Sequence, residues 1–212
     1  MLYILTFIFL VLALWLDHAA IALILGITLS YSISIPINFV TRRMGTKILQ
    51  TGIVFLGGSI SVPQVVDISA EYLPWVSGFV LVTFLLVILL GKLIGVSKKQ
   101  SYLLASGTAI CGGTAMASVA PVIKAKPQEL LTALTIVFIL NALAVIFFPL
   151  MGSWLDLTEE QFGSWTALAI HDTASVIGAA SVLGDEAVQV AVTLKLGRTL
   201  WIIPLVIFSA WY

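Results

Sequence analysis

The chain has 212 residues, 60% of them hydrophobic and only 9% charged, with a mean hydropathy of +1.15 and a formal net charge of zero. A water-soluble domain carries roughly 25% charged residues, so this composition excludes one and describes a polytopic integral membrane protein without a soluble domain. The balanced charge, without a basic tract, argues against nucleic acid as a partner, and a single cysteine, Cys111, excludes an internal disulfide and a thiolate metal cluster.

Apolar runs of about 20 residues, each long enough for about 30 Å of hydrocarbon, recur along the chain. Leu2–Leu16 is a short first span; it lacks the basic start and small-residue cleavage site of a signal peptide and is expected to stay in place. Ala19–Val40 is the second span, and Lys47–Val62 the third, dotted with Gly52, Gly57 and Gly58 that let helices approach closely. A loop over Pro63–Leu73, carrying Asp67 and Glu71, leads to a fourth span, Pro74–Gly95. Glu129–Leu150 is a clean span with one polar residue, Asn141, at its centre, and Ala187–Tyr212 contains Lys195, Arg198 and Pro204.

Two stretches between these spans have the wrong residues for a lipid-facing helix. Ser101–Ile123 includes Gly107-Thr-Ala-Ile-Cys-Gly-Gly-Thr-Ala115 and Pro121, and Phe162–Leu183 includes Ala169-Ile-His-Asp-Thr-Ala-Ser-Val-Ile-Gly-Ala-Ala180. Glycine loosens the backbone, and N–H and C=O groups freed in lipid find no water, so irregular backbone belongs where it lines a cavity. The flanking charges sharpen this. Counting Lys and Arg places Arg42, Arg43, Lys47, Lys92, Lys98 and Lys99 in the cytoplasm and the N-terminus with them. The first odd stretch is basic on both flanks (Lys98, Lys99; Lys124, Lys126) and the second acidic on both (Glu159, Glu160; Asp185, Glu186). Each is therefore expected to enter and leave on one side, as a broken or re-entrant segment. The fold class that follows is an all-α integral membrane helix bundle with two such segments, in a single transmembrane domain over residues 1–212.

The two halves also resemble each other. Ala109-Ile110 and Ala169-Ile170 each open a run of small and hydroxyl residues; Glu129 and Glu186 follow, then apolar spans ending near Pro149 and Pro204. Asn141 and Arg198 fall at the same offset from those acids. One odd-crossing unit repeated in this way is inverted in the membrane, an arrangement that secondary transporters use around midplane sites.

His171 and Asp172 are intramembrane ionisable neighbours, suited to a proton relay; alternatively Asp172 caps the second half of a broken helix. Lys195 and Arg198 lie one turn apart on a helix and suit an anion beside a cavity, or else snorkel to an interface. Gly112, Gly113 and Thr114 offer backbone N–H groups and a hydroxyl where a half-helix starts, an anion site, or else they simply pack closely against another helix. Asn141 reads as interhelical glue. No H-E-x-x-H or similar spacing is present, so neither a metal nor another cofactor is expected.

These motifs, with Ala120-Pro-Val-Ile-Lys-Ala-Lys126 and Leu194-Lys-Leu-Gly-Arg198, resemble the YeiH-like family of bacterial inner-membrane proteins, described as sulfate exporters. The likeness covers most of the chain and is specific from Ser101 to Pro204; before that it rests on hydropathy and Leu56-Gly-Gly-Ser59. It implies a multispanning inner-membrane permease of inverted repeats carrying sulfate or a related oxyanion or sulfonate. Members of that family run on for about three more spans of roughly 20 residues. Either this chain is a fragment of such a protein, or it is a short member whose bundle is incomplete alone and needs a homo-oligomer to enclose a cavity. The expected activity is secondary transport of a small anion, with Gly112, Gly113, Thr114, Lys195 and Arg198 on the substrate and His171 and Asp172 handling protons. The competing expectations are a membrane-embedded enzyme using His171, Asp172 and Cys111, and a non-transporting scaffold.

Overall fold

The computed structural model describes residues 2–16, 19–32, 51 and 62–211. Residues 33–40 of the expected second span, and all of the third except 51 and 62, lie outside the described residues. The chain divides into two compact units, Met1–Val62 and Pro63–Tyr212. In the first, α1 (Leu2–Leu16) packs on α2 (Ala19–Ser32), and both turn large side chains such as Phe7, Leu10, Trp15 and Ile27 outward.

In the second unit, α3 runs over Val62–Leu93, with its apolar, membrane-length part at Tyr72–Leu93. Where the sequence suggests a loop over Pro63–Leu73, the chain is helical. Pro63 fits a first helical turn, which needs no N–H donor. There follow α4 (Lys98–Ser106), a π-helical turn (Gly107–Cys111) and α5 (Gly113–Val119). Next come α6 (Pro127–Trp154), α7 (Glu159–Ala169) and α8 (Thr173–Ala180). The chain continues in α9 (Asp185–Thr199) and α10 (Ile202–Ser209). Pro204 lacks the N–H that would bond to Leu200, which separates α9 from α10.

The first odd stretch is a helical hairpin. Lys99 Nζ donates to the Lys124 carbonyl at 2.7 Å, and Gly107 lies against the Met116 side chain. Both pairs are symmetric about the Cys111–Gly112 bond, which is the tip. In a continuous helix, residues 25 apart in sequence are about 37 Å apart, so this contact requires a fold-back. The second stretch folds back likewise: the Glu159 carboxylate accepts the Glu186 N–H at 3.0 Å, with the tip at His171-Asp172.

α6 sets the sense of the two hairpins. Its 28 residues reach about 42 Å, enough to cross a bilayer. The open end of the first hairpin sits at its start, where Ser97 Oγ donates to Glu129 at 2.8 Å. The second hairpin opens directly after its other end. The hairpins therefore enter from opposite ends of α6, and hairpin-then-crossing-helix occurs twice with opposite sense.

Close packing of small residues holds the second hairpin to α9. A Cβ on Gly163 would stand 2.5 Å from the Ala187 carbonyl oxygen, so α7 and α9 touch backbone to backbone, as helices without a hydrophobic drive must. The exterior is apolar, with Leu85, Leu89, Phe138, Leu143 and Phe147 exposed, while Lys195 and Arg198 are fully buried. This inversion of a soluble protein's pattern fits lipid as the solvent.

Candidate functional site

The two tips meet. A Cβ placed on Gly112 would lie 3.3 Å from the His171 Cβ, and Asn141, which contacts the second tip, is the fifteenth of the 28 residues of α6. The meeting point is thus level with the middle of a membrane-length helix.

Each tip is made by a local break. In the first, the Gly112 N–H reaches back to the Gly107 carbonyl at 2.8 Å, an i to i−5 bond that closes the π-turn. Gly112 then takes φ +61°, ψ −118°, a conformation open to glycine. In the second, Ile170 and Asp172 are extended, and Asp172 restarts the helix as N-cap. Its carboxylate accepts the Ser175 N–H at 2.9 Å and the Ser175 hydroxyl at 2.6 Å. Of the two roles read from the sequence for Asp172, capping is directly visible.

Asn141 crosses from α6 to this tip. Its amide nitrogen donates to Asp172, and its oxygen accepts the His171 backbone N–H at 3.0 Å and the ring Nδ1 at 2.8 Å. A carboxylate only accepts, so Asp172 fixes which way the Asn141 amide points. That orientation makes Nδ1 the donor and leaves Nε2 as the acceptor of a neutral ring. A cavity of about 260 Å³, walled by Leu140, Leu143, Phe147 and Phe148, opens beside His171.

Arg198 and Lys195 come from α9. Arg198 Nε donates to Ala109 O at 3.0 Å and Nη2 to Thr108 O at 2.6 Å, both in the π-turn. Its Nη1 donates to Ala167 O at 2.8 Å and Leu168 O at 2.6 Å, at the end of α7. Lys195 Nζ donates to Ile170 O at 2.6 Å. Neither snorkels to an interface. Gly113 is half-buried against Leu134 and Phe138, and Thr114 is exposed. Cys111 is buried near the first turn of α5, and among the described residues no hydrogen bond joins it to His171. No cluster of three His, Cys, Asp or Glu side chains is placed to hold a metal ion among the described residues.

The candidate site residues Gly112, Gly113, Thr114, His171, Asp172, Lys195 and Arg198 thus lie at the tips or in contact with them. Asn141 is the one whose place was underread: its signal was the shared offset with Arg198, and both of these crossing-helix residues reach a tip.

Opposed re-entrant hairpins within an apolar helix bundle define an integral membrane protein. More specifically, the chain belongs to the family of Conserved hypothetical protein 698, which it matches over residues 3–212. It is 43% identical over 189 residues to a UPF0324 membrane protein of Vibrio vulnificus, covering 89% of this chain and 61% of that one. A UPF0324 membrane protein of Bacteroides thetaiotaomicron is 41% identical over 186 residues, covering 87% of this chain and 56% of the relative. The chain spans about three fifths of the length of these curated relatives. No solved structure matches.

Proposed function

We propose that the protein is a secondary transporter of a small anion, sulfate or a related oxyanion or sulfonate, in the bacterial inner membrane. The supporting observation is the pair of fully buried cations, Lys195 and Arg198, set where the tips meet against one carboxylate among the described residues, that of Asp172. In their ordinary charge states these groups carry a surplus of one positive charge. Charges are costly within a membrane and usually serve a substrate or ion path.

In this reading the anion sits against the first tip at Gly112, whose own N–H is held by Gly107, and is drawn by the Gly113 N–H, the Thr114 hydroxyl and Lys195, whose ammonium has two donors beyond the one given to Ile170. His171 and Asp172 form the proton relay, joined through Asn141. Transport proceeds by alternating access around the tips, with the basic ends and the N-terminus cytoplasmic. The reading is of a carrier and not of an enzyme.

Proteoliposomes offered radiolabelled sulfate, sulfite or a simple sulfonate, with and without a pH gradient, test it. Uptake of at least one that responds to the gradient is expected. Retention of none, under either condition, would remove the anion assignment.

A further inference from the structure

We propose that Arg198 is a positioning residue: its guanidinium clips the two hairpin tips together, and Lys195 is the cation that meets the anion. The assignment of Lys195 rests on the transport reading; the clip does not.

The breaks create the need for a clip. Thr108 and Ala109 carbonyls would normally bond to N–H groups one turn on, but the helix ends at Gly112. Ala167 and Leu168 carbonyls face the same loss, because the chain is extended from Ile170 and the His171 N–H goes to Asn141. Four carbonyls are thus orphaned at two helix C-termini, each carrying partial negative charge, in a place without water. Arg198 answers all four at 2.6–3.0 Å.

No other side chain does this. The guanidinium fork has five N–H donors in one plane and reaches both sides at once, whereas an ammonium presents a compact point charge. Arg198 therefore has one N–H left, and the Phe79 ring lies 5.1 Å from its carbon, covering one face of the plane. An anion gripped bidentately by Arg198 would have to displace at least one of these backbone carbonyls and loosen a break. Lys195 gives up only one donor, to the second tip.

The test uses the full chain in membranes, with Cys111→Ala as background and Thr108→Cys/Leu168→Cys as a reporter pair across the tips. A short bifunctional methanethiosulfonate should crosslink that pair readily. Arg198→Lys, which keeps the charge and loses the fork, is expected to slow crosslinking by about tenfold and to lower kcat for sulfate uptake with KM nearly unchanged. Lys195→Gln is expected to leave crosslinking as it was while weakening radiolabelled sulfate binding by about tenfold.

Normal crosslinking in Arg198→Lys, or a rise in KM with kcat intact, would overturn the clip. If Arg198→Lys does not accumulate, the chain with Arg198 in place still decides: crosslinking unchanged by saturating sulfate supports the clip, and crosslinking slowed by sulfate overturns it. A protein that binds and carries none of sulfate, sulfite and a simple sulfonate refutes the transport reading while its crosslinking rates still judge the clip.

Discussion

Three hydrogen bonds converge on Asn141, one side chain at the middle of a largely apolar 28-residue helix. Replacing it with leucine leaves the His171 N–H buried without its acceptor and takes a donor from Asp172, at about 1–3 kcal/mol for each buried group left unpaired. Asn141→Leu should therefore lower the unfolding midpoint in detergent by several degrees. A sharper experiment exchanges the two side chains. Asn141→Asp keeps an acceptor for His171 but sets two carboxylates against each other, so it should be worse than Asp172→Asn alone. The double variant Asn141→Asp/Asp172→Asn restores one donor and one carboxylate, and a double-mutant cycle should show coupling of about 1–3 kcal/mol; additive losses would mean the pair does not interact. Gly163 makes a different demand. A methyl there would fall 2.5 Å from the Ala187 carbonyl oxygen, and a carbonyl in a helix backbone cannot yield as a flexible side chain does. Gly163→Ala should cost about 1–3 kcal/mol by overpacking, read as a lower thermal midpoint, whereas Gly197→Ala on the same bundle meets nothing within 4 Å and should be nearly neutral.

Between residues and fold stand the helix ends, where much of the second unit is decided. The N-cap of α9 is Gly184, which has no side chain to offer; Glu159 from α7 supplies the acceptor, taking the Glu186 N–H at 3.0 Å and the Ala187 N–H at 3.4 Å. This contact both caps α9 and closes the mouth of the second hairpin. Glu159→Ala should cost about 0.5–2 kcal/mol, the usual range for a lost cap, and Glu159→Gln, which keeps an acceptor, clearly less; equal losses would point to charge and not capping. The same scale shows why parts of the fold were legible in sequence. Hairpins were readable because Lys98, Lys99, Lys124 and Lys126 flank the first stretch on both sides and the acids around Glu159 and Asp185 flank the second. Tip positions were readable because Gly112 and the His171-Asp172 pair are poor continuations of a helix in lipid. The loop expected over Pro63–Leu73 misled, since a proline and two acids resemble a loop yet sit equally well in a helix that extends beyond the hydrocarbon. What the tips bond to was not readable. The partner of Thr108 and Ala109 lies 90 and 89 residues away, and a non-local contact leaves no mark on local composition.

For the whole molecule, the decisive feature is that hairpins of opposite sense place their tips against each other while their mouths stand at opposite ends of α6. At one mouth are Lys99, Lys124 and the Ser97–Glu129 contact; at the other are Glu160, which accepts the Tyr72 hydroxyl at 3.0 Å, and the Glu159–Glu186 contact. A bilayer normal to α6 would then separate a basic face from an acidic one, and on the proposed reading the positive-inside rule predicts the basic face in the cytoplasm. Single cysteines at Lys99, Lys124, Glu160 and Asp185, each in a Cys111→Ala chain, turn this into a prediction about accessibility. Lys99→Cys and Lys124→Cys should react with a membrane-impermeant maleimide only in inverted vesicles, and Glu160→Cys and Asp185→Cys only in intact spheroplasts. The test is stringent because a broken helix that crosses the membrane would exchange the sides of Lys99 and Lys124 while leaving composition, helix content and apolar surface the same. Opposite-side labelling of that pair would turn the first hairpin into a crossing and carry Gly112 away from His171, and the site where two helix breaks face each other across the midplane would no longer exist.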